Sequence, residues 1–99
     1  MKKLKNIHPG DVLLEDFMKP LELTAYRVAK DLHVSQTRLG EILKGQRSVT
    51  PEMALRLATW CGSTPHFWLN LQEAYDLEEA QRSPMAKKIA AEVRPMVAT

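Results

Sequence analysis

Apolar residues recur along this chain at three- and four-residue spacings, and residues that start or stop helices fill the gaps between the runs. Ala25, Val28, Ala29 and Leu32 fall at i, i+3, i+4 and i+7, one face of an α-helix, behind Thr24, a good N-cap. Only His33 and Val34 separate that run from Ser35, the next cap. Leu39, Ile42 and Leu43 then mark one side of a following helix, which Gly45 is suited to stop. Ala54, Leu57, Ala58 and Cys61 repeat the same spacing behind Thr50-Pro51-Glu52, and Gly62 ends them. Thr64-Pro65 opens a fifth helix in which Phe67, Trp68, Leu71, Ala74 and Tyr75 share an arc of about 120°. Leu69 and Leu77 lie off that arc, which points to a second covered surface. Ahead of all these, His8-Pro9-Gly10-Asp11 begins a helix, with proline near its first position and an acid in its first turn. Leu13, Leu14, Phe17 and Met18 form its stripe and Pro20 ends it. Ser83-Pro84 reads as one more cap, followed by Met85, Ile89 and Val93 at four-residue spacing and by Pro95 as a stop. No segment alternates as a strand, so the pattern predicts an all-α chain of five packed helices with a short amphipathic sixth.

Composition narrows this picture. Ninety-nine residues suit one domain, and 44% hydrophobic with 26% charged residues is ordinary globular usage. So short a chain buries a smaller share of its surface than a large domain does, and oligomerisation would help it. A single cysteine, Cys61, excludes an internal disulfide and a thiolate zinc cluster. The start Met1-Lys2-Lys3-Leu4-Lys5-Asn6 is basic but lacks a following apolar stretch, so no signal peptide is expected, and no run reaches the ~18 apolar residues of a membrane span. A cytoplasmic protein without a membrane partner is the plain reading. The net charge of +2 decides nothing by itself, but its distribution does. Residues 24–48 hold Arg27, Lys30, Arg38, Lys44 and Arg47 against Asp31 and Glu41, a net +3, whereas residues 70–81 hold only Glu73, Asp76, Glu78 and Glu79, a net −4.

The positive part coincides with the second and third predicted helices. A major groove about 12 Å wide accepts one α-helix, presented by another through a tight turn. That geometry asks for a small residue where the two helices meet, met by Ala29, and for apolar residues where the turn and the second helix plug into the core, met by Val34, Leu39 and Ile42. Left outside are Ser35, Gln36, Thr37 and Arg38, side chains suited to base edges: Gln for adenine, Arg for guanine, the Thr methyl for thymine. Around them, Thr24, Arg27, Lys44, Gln46, Arg47 and Ser48 are donors suited to phosphate, aided by helix N-termini.

The stretch TAYRVAKDLHVSQTRLGEIL, residues 24–43, resembles the helix-turn-helix of the Xre/Cro-type repressors. It departs at His33, which stands where that pattern usually has glycine at a left-handed turn position. The segments HPGDVLLEDFMKPL, ILKGQRSVTPEMALRLA and STPHFWLNLQEAYDL together resemble the HigA-type antitoxins, also described as VapI-like or plasmid-maintenance antidote proteins, over roughly residues 7–80. The resemblance implies a lambda-repressor-like fold, with residues 7–80 as the DNA-binding domain, 24–44 as its helix-turn-helix, and 81–99 as a C-terminal amphipathic helix and tail belonging to the same domain or to a dimer surface. It implies a homodimeric repressor of its own operon, acting on a palindromic operator, and a partner toxin that is a messenger-RNA-cleaving ribonuclease. Leu69, Leu77, Met85, Ile89 and Val93 are the expected dimer surface.

Other features carry less. His8, His33 and His66 form no i, i+4 pair, so no metal or cofactor is expected. Trp60, Phe67, Trp68 and Tyr75 lie far from the basic segment and suit core or dimer packing better than base stacking. No serine sits in a nucleophile-elbow motif, so no enzyme is expected. The acidic stretch Glu73–Glu79 is a solvated face or a docking site for a basic toxin. Two other functions compete with the leading one: a stand-alone Xre-type regulator without a toxin, and a protein-interaction inhibitor with only incidental DNA binding. A short upstream reading frame for a small basic protein would separate the first from the antitoxin role. A third class, a single-strand or RNA-binding module, predicts comparable affinity for unpaired strands, which a gel shift comparing duplex with single strand would decide.

Overall fold

A computed structural model describes residues 4–97, so the Met1–Lys3 start and the last two residues of the tail lie outside the described residues. Helix α1 (Pro9–Val12) widens without a break into a π-helical stretch, Leu13–Met18; α2 (Ala25–Leu32), α3 (Gln36–Leu43), α4 (Pro51–Cys61), α5 (Pro65–Arg82) and α6 (Pro84–Glu92) follow. No strand occurs among the described residues. The predicted caps form as their chemistry requires. Thr24, Ser35, Thr50 and Thr64 each accept the amide three residues on, from Arg27 (3.1 Å), Arg38 (3.0 Å), Met53 (3.3 Å) and Phe67 (3.3 Å). Gly45 and Gly62 take left-handed φ values of 74° and 75° just past α3 and α4.

The core joins Leu13 and Met18 to Val28, Ala29 and Leu32 of α2, Leu39 and Ile42 of α3, Val49, then Met53, Ala54 and Leu57 of α4 and Trp68 of α5. In the π-helical stretch the amide of Lys19 reaches the Leu14 carbonyl (2.9 Å), five residues back. That winding brings Leu13 and Met18, also five apart, closer to one face than an α-helix would. Gly10 marks the tightest contact between elements: a Cβ there would stand 1.9 Å from the Ile42 carbonyl oxygen, so α1 lies on the backbone of α3.

Three expectations need correcting. The buried face of α5 is only part of the apolar arc: Trp68 is buried and Leu71 packs on the core, but Phe67 and Ala74 are exposed, and Gln72 is buried with its Oε1 accepting the Val49 amide at 2.7 Å and its Nε2 donating to Asp76 at 2.9 Å. Leu69, expected on the second surface, is half-buried and packs against the core. Ser83 occupies the N-cap position of α6 without capping it, because its hydroxyl donates to the Ala80 carbonyl at 2.7 Å. No helix among the described residues is long and apolar enough to cross a membrane.

Candidate nucleic-acid interface

The turn between α2 and α3 is built around one unusual residue. His33 has φ 58° and ψ 44°, and its amide closes α2 onto Ala29 and Lys30. The left-handed step ends α2 and turns the chain, and Val34, half-buried, packs on the core beside it. With Leu39 and Ile42 fixed inward, a 100° advance per residue puts Thr37, Glu41 and Lys44 on the opposite side of α3. Gln36 lies toward one border of that outer face and Arg38 toward the other. Ser35, Gln36, Thr37 and Lys44 are exposed accordingly, whereas Arg38 is half-buried.

Arg38 points toward α4. Its Nη2 donates to Glu52 Oε1 at 2.6 Å, and its Nη1 lies 3.5 Å from Oε2. Glu52 Oε2 also accepts from Arg56 Nε at 2.7 Å, and Arg56 Nη1 donates to the carbonyl oxygens of Leu32 (3.0 Å) and His33 (3.5 Å). One carboxylate thus links the start of α3 to the end of α2. Hydrogen bonds from the two guanidinium groups hold the Glu52 carboxyl down at about 2. The other arginines of this region are paired as well: Arg27 Nε with Asp31 at 2.9 Å, and Arg47 with Glu41 through Nε (2.9 Å) and Nη2 (2.8 Å). Lys30 and Lys44 are exposed and form no salt bridge among the described residues. Thr24, Gln46 and Ser48 are exposed too.

Sequence reasoning gave Glu41, Glu52 and Arg56 no role at the site. Glu41 sits at a predictable outward position, and its helical phase would have found it. The Arg38–Glu52 pair spans fourteen residues and two helices, which no local spacing reports.

A helix-turn-helix family profile matches residues 14–69 of the chain. The virulence-associated protein I of Dichelobacter nodosus is 45% identical over 83 residues, 84% of this chain and 77% of that protein. A HigA-family addiction module antidote protein from Coxiella burnetii is 44% identical in its solved structure, with a TM-score of 0.86, covering 93% of this chain and 99% of that one. The chain belongs to the HigA-type helix-turn-helix family. The Pseudomonas aeruginosa antitoxin HigA, solved with the higBA promoter, is 31% identical with a TM-score of 0.88, covering 94% of this chain and 100% of that one.

This HigA-type chain carries a second set of outward residues at its far end. Leu77, Met85, Ile89 and Val93 are exposed, and a groove of about 260 Å³ runs between α5 and α6, lined by Leu77, Ala80, Met85 and Ile89. The acids of α5 are partly engaged. Asn6 Nδ2 donates to Glu79 at 3.0 Å and to the Tyr75 carbonyl at 2.9 Å, and Arg82 Nε pairs with Glu78 at 2.8 Å.

Proposed function

We propose that this chain is a cytoplasmic, homodimeric transcriptional repressor that binds a palindromic operator beside its own gene and serves as the antitoxin of a ribonuclease toxin. The observation that carries the DNA-binding part is the division of α3. Its apolar side is locked into the core, while short polar side chains at its N-terminal end stand outside on a basic segment. Ser35, Gln36 and Thr37 are the base-reading residues of this proposal, with Arg38 at the flank. Thr24, Arg27, Lys44, Gln46, Arg47 and Ser48 hold phosphates. Residues 7–80 form the DNA-binding domain, and 81–99 belong to the dimer surface with Leu77, Met85, Ile89 and Val93. Two recognition helices would then enter successive major grooves about 34 Å apart. The names of the antitoxin and antidote relatives support the toxin partner.

Footprinting on the DNA flanking the gene tests the reading directly. Protection of an inverted repeat is the expected result, and uniform weak protection of any duplex would overturn it. Copurification with the product of a neighbouring small reading frame tests the antitoxin part. The absence of any such frame would leave a stand-alone regulator.

A further inference from the structure

Each arginine of the proposed DNA surface, Arg27, Arg38 and Arg47, is held by a carboxylate of the same chain, and the Arg38 pair is the shortest. Glu52 is also the only one of these carboxylates that grips a second arginine. A first-turn acid at the N-terminus of α4 occupies the place where helix amides would otherwise favour a phosphate. Its two oxygens take one edge of the Arg38 guanidinium, and the remaining N–H groups of Arg38 have no acceptor among the described residues. An arginine fixed along one edge presents its other donors in one direction; released, it is a mobile cation that any phosphate satisfies.

We propose that Glu52 is a positioning residue for Arg38 and sets how strongly the protein prefers its operator over random duplex DNA. The inference rests on the DNA-binding reading above. Glu52 restrains the guanidinium and adds a negative charge that opposes contacts made to phosphate alone. Its ionised state persists throughout neutral pH, since two arginines hold the carboxyl at about 2.

The test is Glu52→Gln, which keeps the shape and loses the charge. Fluorescence anisotropy with a labelled duplex carrying the footprinted sequence, and with a random duplex of equal length, gives the two affinities across a salt series. The expected result is a tighter random complex whose salt slope steepens by about one, as a freed arginine adds a phosphate contact. The ratio of operator to random affinity then falls by roughly tenfold. Adding Glu52→Gln to Arg38→Ala should change that ratio little, because the side chain it acts through is gone. A ratio unchanged in Glu52→Gln, or lowered equally in both backgrounds, overturns the role of Glu52. A wild-type protein with no operator preference overturns the DNA reading itself. Glu52 is exposed, and a thermal melt of the variant close to that of the wild type excludes a folding defect as the cause.

Discussion

His8 ties three parts of the chain together with one ring. Its Nδ1 accepts the Gly10 amide at 2.9 Å, its backbone amide donates to Asp11 at 3.0 Å, and its ring meets Tyr75 edge-on with centroids 4.8 Å apart. Burial lowers its pKa, outweighing the opposing pull of Asp11 and Asp76. A protonated imidazole could not accept the Gly10 amide. The unfolded chain, with an ordinary histidine near 6.5, takes up the proton first as pH falls. Stability from this residue is therefore complete above 6.5 and declines below it, through the lower folded value. The urea midpoint should drop as the pH falls below about 6.5. His8→Asn, which keeps an N-cap acceptor, should flatten that slope. His33 carries a different cost. A non-glycine residue at φ 58° bears strain of roughly 1 kcal/mol, so His33→Gly should raise unfolding free energy by about that amount in denaturant titration. A loss of stability would mean that the imidazole does something at the turn beyond occupying it.

At the scale of elements, helices were legible wherever the signal was local. A threonine or serine facing an amide three residues on, followed by an apolar stripe, located α2 through α5 because those forces act within one or two turns. Ser83 carried the same signal and failed, since a hydroxyl at the end of an eighteen-residue helix found a carbonyl behind it before an amide ahead. The buried face of α5 was only partly legible for a related reason: Trp68 and Leu71 face the core as the arc predicts, but Gln72 does too. Counting apolar residues cannot register a glutamine that faces inward to serve the Val49 amide. Gln72→Leu removes the acceptor from that buried amide, and should cost about 1–3 kcal/mol in a chemical melt despite the more hydrophobic side chain. In the candidate site, Gln36 and Thr37 were legible from the cap that precedes them. The flankward turn of Arg38 was not, because it depends on where α4 lies. The widening after Val12 left no mark in the sequence pattern.

The whole molecule is elongated, 54 × 30 × 21 Å, with a radius of gyration of 16.8 Å against about 13 Å for a compact chain of this length. Helix α6 has no buried residue and rests on α5. Ile89, at the centre of that helix, is 47% exposed. If a second copy covers it, Ile89→Asp should shift the protein toward monomer in sedimentation equilibrium and weaken operator binding, leaving the thermal melt of the protomer core little changed. Persistence of the dimer would move the interface elsewhere. The close seat of Gly10 on the Ile42 carbonyl bears on how a duplex is met. With no atom between the two backbones, α3 cannot slide along its axis or tilt without carrying α1, and with it the His8–Tyr75 contact to α5. The proposed reading surface is thus set before any nucleic acid arrives. Association should then resemble the mating of two finished shapes, with a calorimetric heat-capacity change no larger than the contact area alone would give.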